Sequence, residues 1–149
     1  MMMVKRKRPD KATLVIVVLV MLAIVLTVKQ FPKKAVSLIP EKMLNFSCSV
    51  ARESISGAEE IDLTNTQKKA LLEEMEEILI VRQGFSEGRI GPYDKYIYRV
   101  CFENKQMISE KKGYFECEID DCGKIYTQQG SYRMIGDFSG VLTLLDGLF

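Results

Sequence analysis

Apolar and polar positions divide the 149-residue chain into two regimes. From Ala12 to Val28 no residue is charged and most are aliphatic, with Lys11 and Lys29 as brackets. These 17 residues make about 25 Å of helix at roughly 1.5 Å per residue. A bilayer core is about 30 Å thick, so the run sits at the short end of a spanning helix. Flanking lysines can snorkel across the difference. No small-x-small cleavage site follows Val28, and no cysteine stands ready for lipidation. The expectation is therefore an uncleaved, single-pass signal-anchor at residues 12–28 in contact with the lipid bilayer. Lys5, Arg6, Lys7, Arg8 and Lys11 make residues 1–11 a basic stub, expected to stay cytoplasmic. Residues 29–42, with Pro32, Lys33, Lys34 and Pro40, read as a wet stalk. Residues 43–149 then form one extracytoplasmic domain on the cell membrane.

Within that domain the pattern changes period twice. Phe46, Cys48 and Val50 alternate with polar positions, as a half-buried strand does. Ser56-Gly57 marks a turn. Thr64 with Gln67 has capping-box spacing. Leu71, Leu72, Met75, Ile78 and Leu79 follow at helical spacing, with Glu73, Glu74, Glu76 and Glu77 on the other side. Ile80 to Arg82 reads as a short strand, and Gly84 to Pro92 as a loop with three glycines. From Tyr93 the period is two again. Tyr96, Tyr98, Val100 and Phe102 share one face, and Ile97, Arg99 and Cys101 the other. Asn104-Lys105 predicts a hairpin turn. Phe115, Cys117 and Ile119 alternate with Tyr114, Glu116 and Glu118. Asp120-Asp121-Cys122-Gly123 fits a type I turn closed by a left-handed glycine. Lys124–Gln128 and Ser131–Ile135 are the last strands. Asp137 or Ser139 is placed to cap a short helix with Phe138, Val141, Leu142, Leu145 and Leu148 as its apolar positions. The fold class is α+β: an antiparallel β-meander packed against an amphipathic helix, behind a transmembrane helix.

Charge separates the same two regimes. Residues 1–29 carry a balance of +5 and residues 30–149 a balance of −4. A mildly acidic domain without a basic stripe disfavours nucleic acid as a partner. The absence of histidine removes the commonest general base and metal ligand. Hydrolases whose Ser or Cys nucleophile leans on a histidine are disfavoured with it. No motif implies a cofactor.

Residues 61–135 hold Ile-Asp-Leu-Thr, an amphipathic helix and Ile-Leu-Ile-Val-Arg, closed by Gly-Lys-Ile-Tyr and Ser-Tyr-Arg-Met-Ile. That arrangement resembles small membrane-anchored or lipoprotein-type extracytoplasmic domains of Gram-positive bacteria. The resemblance implies no catalytic residues, and the chain lacks the cysteine of the lipoprotein versions.

Cys48, Cys101, Cys117 and Cys122 all follow the apolar run. In an oxidising compartment they make two disulfides at most, with three connectivities. Strand parity favours Cys48 with Cys117 and leaves Cys101 and Cys122 to pair or stay free. No Cys-x-x-Cys knuckle supports a zinc or thiol-redox site. Besides a subunit or stability partner that works mainly through its anchor, two functions remain. One is a domain that binds an envelope protein, a peptide or a small ligand through Arg82, Arg89, Tyr93 and Arg99, without catalysis. The other is a cell-envelope hydrolase using Glu116, Glu118, Asp120 and Asp121, since alternation puts Glu116 and Glu118 on one face.

Overall fold

A computed structural model describes residues 11–28, 31–84, 96–104 and 113–149, without the side chains of 26–28. It divides into two units, Met1–Phe31 and Pro32–Phe149. The first contains helix α1, Lys11–Val28. Its residues Leu14–Leu22 are each at least half exposed. Among the described residues no helix is long and apolar enough to cross a membrane. Residues 12–28 were expected to be a transmembrane signal-anchor, and that expectation is corrected. The helix has 18 residues and opens on a charged lysine, whereas a span needs about 20 apolar residues. The single-pass topology, with a cytoplasmic N-terminus and an extracytoplasmic domain, is therefore not supported.

The second unit is built on eight strands: β1 (Lys33–Lys34), β2 (Ser47–Ser54), β3 (Gly57–Asp62), β4 (Leu79–Gly84), β5 (Ile97–Glu103), β6 (Tyr114–Asp120), β7 (Lys124–Thr127) and β8 (Gly130–Ile135). They form one sheet in the order β1-β4-β8-β7-β6-β5-β2-β3, with every pairing antiparallel. The expected meander is present as β5 to β8. Strand β4 joins it at one end, and the β2–β3 hairpin at the other. Helices α2 (Asn65–Glu77) and α3 (Ser139–Asp146) pack together.

Local chemistry explains the elements. Thr64 Oγ1 accepts from the Gln67 amide at 3.3 Å, while Gln67 Oε1 accepts from the Thr64 amide at 2.9 Å. Two otherwise orphaned donors at the start of α2 are thereby satisfied. Leu71 and Met75 of α2, and Val141 and Leu145 of α3, are buried. They share one core with Val50, Tyr98, Val100, Phe102, Ile119 and Ile125 of the sheet. Alternation therefore gives the sheet one face turned to the helices and one polar face.

Residues 33–43 are part of this fold and not a stalk. Lys33 and Lys34 pair with Ile80 and Leu79, and the Ala35 amide donates to Ile78 O at 2.8 Å. Ala35, Leu38, Ile39 and Met43 are buried. The prolines break regular helix without keeping the segment out of the core, because two 3-10 turns, Ala35–Leu38 and Glu41–Met43, carry it. Strand β3 has no apolar alternation of its own, and its pairing with β2 makes it a strand. The expected turn at Asn104-Lys105 and the expected loop Gly84 to Pro92 fall largely outside the described residues, and Gly84 itself ends β4.

All four cysteines are free thiols, and no pair lies at disulfide distance. The expected Cys48–Cys117 bridge is thus corrected. Both residues do share the face that parity gives them, since both are buried on the helix side. But Cys48 pairs across to Phe102, and Cys117 to Val100, on opposite edges of β5. Two strand spacings of about 4.8 Å separate them, beyond the roughly 4.4–6.8 Å Cα spacing of a disulfide.

Candidate functional site

The polar face of the sheet gathers most of the charged residues that the strands carry. Cross-strand register places Ala51, Arg99 and Glu118 in one row over β2, β5 and β6. Ser49, Cys101 and Glu116 form the next row, and Asp62 extends it onto β3. The short Ala51 side chain leaves room beside Arg99. The Arg99 guanidinium meets carboxylates from both neighbouring strands. Nη2 lies 2.6 Å from Glu53 Oε1 and 3.5 Å from Glu118 Oε1, and Nε lies 3.6 Å from Glu116 Oε1. Burial alone would lower the Arg99 pKa. The charges of Glu53, Glu116 and Glu118 outweigh it and hold the group above its ordinary value.

Toward β3 the face dips into an open depression of about 270 Å³, bordered by Glu60, Asp62, Glu103, Glu116, Tyr114 and Arg99. Among the described residues four carboxylates there face one guanidinium. Ser49 Oγ donates to Glu60 Oε1 at 3.0 Å. The Tyr114 hydroxyl donates to Glu116 Oε2, and Cys101 Sγ lies 3.7 Å from the same oxygen. Burial first, and then the Glu116 carboxylate, push the Tyr114 phenol well above its ordinary range. The Cys101 thiol is pushed up to about 11, mainly by burial. It is therefore a poor nucleophile near neutral pH.

The structure separates the residues expected to act together. Arg82 and Arg99 stand on opposite faces by register, since Arg82 pairs with the buried Tyr132. Arg82 Nη2 donates to Gln129 O at 2.5 Å, so its guanidinium ties β4 to the β7–β8 turn. Arg89 and Tyr93 lie outside the described residues. Glu116 and Glu118 do share a face, with Arg99 between them. Asp120 is engaged by backbone instead. Its Oδ1 accepts from the Cys122 and Lys124 amides at 3.0 and 2.8 Å, closing the β6–β7 turn. Asp121 is in that turn, away from the pair.

Glu53, Glu60, Asp62 and Glu103 do not stand out in the sequence. Glu53 has a signal in the strand period of residues 47–53 and Glu103 in that of β5, but only the pairing of β3 with β2 brings Glu60 and Asp62 beside Arg99. Among the described residues no group of three or more His, Cys, Asp or Glu side chains is arranged to hold a metal ion. Comparison of the chain with protein-family models, with characterised proteins and with solved structures gave no match.

Proposed function

We infer that Pro32–Phe149 is a non-catalytic binding domain whose open sheet face takes a cationic partner, a basic segment of another protein or peptide. The depression beside β3, where among the described residues four carboxylates stand around the guanidinium of Arg99, carries this reading. Charges of one sign clustered on a face raise the local potential and steer an oppositely charged partner toward it. Each exposed ion pair would contribute only about 0.2–1 kcal/mol, so binding would draw on several at once and weaken with salt. Arg99 sets the geometry. It draws Glu53, Glu116 and Glu118 inward and leaves Glu60 and Glu103 at the border.

Titration of the full-length chain with a lysine-rich octapeptide tests the proposal. Binding at low salt, weakened by added salt and by Glu60→Gln with Glu116→Gln, is the expected result. A peptide that fails to bind at low salt, or binds the double variant equally well, would remove the basis of the proposal.

A further inference from the structure

Among the described residues the sheet ends on β3, whose outer edge has no strand beside it. The parity of that edge can be read from one bond. The Leu63 amide donates to Cys48 O at 2.8 Å. In an antiparallel ladder inward and outward groups alternate, so Gly57, Glu59 and Ile61 bond toward β2. The amides and carbonyls of Ala58 and Glu60 are aimed away from it.

Depressions lie on both sides of this strand. On the polar side is the acidic one beside Arg99, which Glu60 borders. On the helix side is a second, of about 280 Å³, bordered by Arg52, Ser54, Glu59 and Tyr96. Its floor is rigid. The Arg52 guanidinium lies over the Tyr96 and Phe149 rings, at 5.0 and 4.7 Å, and pairs with Glu59 at 2.8 Å.

We propose that an extended, basic peptide segment of a partner protein docks as a ninth strand along the outer edge of β3. The proposal rests on the cationic-partner reading above and names the form of that partner. An added strand gains affinity from main-chain bonds and specificity from pockets that take alternate side chains. Here the main-chain groups are those of Ala58 and Glu60. Alternate side chains of the guest fall to the two depressions, lysine or arginine on the acidic side, small or polar residues against the Arg52–Tyr96 side. The strand's own acidity selects the occupant. In the centred registers of an antiparallel β3–β3 pair, Glu59 would face Glu59 or Glu60 would face Glu60 of the other copy, so a second copy is disfavoured.

The test uses the full-length chain and an octapeptide alternating lysine with threonine. Two further peptides carry N-methyl groups on alternate residues, one in each phase, and keep every charge. One phase is expected to lose binding by at least about tenfold, the worth of one or two main-chain bonds, while the other phase binds as the parent does. Ala58→Pro removes an outward amide and no charge, and is expected to weaken the parent peptide similarly. The two peptide phases decide the matter even if that variant folds poorly. Equal binding by all three peptides would overturn strand addition and leave the cationic-partner reading standing. No binding by any of them would overturn both. A dimer joined through β3 in the absence of peptide would also overturn the proposal.

Discussion

The hydroxyl of Tyr98, on the helix-facing side of β5, donates to Asp146, the last residue of α3. Tyr98 is 2% exposed, so the bond ties the C-terminal helix to the core from within. Tyr98→Phe removes the donor and leaves an exposed carboxylate that water can satisfy. Asp146→Ala leaves a partly buried hydroxyl without its acceptor. Urea melts are expected to show a loss of about 1 kcal/mol for Tyr98→Phe and about 1–3 kcal/mol for Asp146→Ala. Two unchanged midpoints would show that α3 is held by Val141 and Leu145 alone.

Alkaline pH should weaken the fold before it ionises the buried thiols. Burial first, and then repulsion from Cys101, push the Cys48 thiol from its ordinary 9.0 up to about 12. Burial, and then Cys48, push Cys117 up as well. A raised folded pKa means that the unfolded chain releases these protons first. Stability is therefore complete below pH 9 and falls as pH rises toward the folded values. Two such thiols cost about 2–3 kcal/mol by roughly pH 10. Cys101, pushed up to about 11, adds a third such contribution, so denaturant melts between about pH 8 and 10 measure the slope of three thiols, and Cys117→Ala should remove about a third of it. A flat profile would mean that the thiols are not buried as described.

Thiol reactivity gives an independent reading of the same four positions. Cys122 is exposed, Cys101 is half-buried, and Cys48 and Cys117 are buried. A neutral disulfide reagent is expected to label Cys122 first and Cys101 more slowly. Cys48 and Cys117 should react only on unfolding, with four thiols titrating in denaturant. Early labelling of Cys117, or fewer than four thiols, would contradict the arrangement around β5.

What the sequence showed of this fold follows from where the periods are strong. The Thr64–Gln67 box, the alternation in β2, β5 and β6, and the Asp120–Gly123 turn were all legible, because each rests on local chemistry. The Gly123 amide does bond to Asp120 O at 3.3 Å. Strand β3 was not legible, since Gly57–Asp62 has no buried face to mark a period and is a strand only through β2. The segment 33–43 misled for a related reason: its prolines and lysines are local signals, while Ala35 and Leu38 are buried by contacts distant in sequence. The candidate site failed at the same level. Arg82 and Arg99 look alike as basic residues on strands, and register alone puts them on opposite faces.

The stripe of α2 provides a graded test of packing. Leu71 and Met75 are 0% and 1% exposed, whereas Leu72, also read into the stripe, is only half-buried. Leu71→Ala or Met75→Ala is expected to cost about 2–5 kcal/mol, and Leu72→Ala clearly less. Thr64→Ala should cost about 1 kcal/mol through the lost cap. Equal losses at Leu71 and Leu72 would mean that the helix is rotated from the position described.

Two glycines separate backbone strain from crowding. Gly123 and Gly136 both have left-handed backbones, with φ of +79° and +86°. An alanine at either position loses about 1–2 kcal/mol to that conformation. Only at Gly123 does the added carbon meet anything, standing 2.6 Å from the Phe138 ring, whereas the space at Gly136 is open. Phe138 is the N-cap residue of α3 and packs against the core. Its ring must shift to admit the added carbon, while Asp137 Oδ1 holds the helix start through the Ser139 amide at 2.9 Å. Gly123→Ala is therefore expected to cost at least about 1–3 kcal/mol more than Gly136→Ala, the usual penalty of overpacking. Adding Phe138→Leu to each variant should narrow the gap, because the shorter side chain withdraws from the added methyl. Thermal melts of the four proteins decide it. A gap that persists beside Leu at position 138 would place the strain in the β6–β7 turn itself.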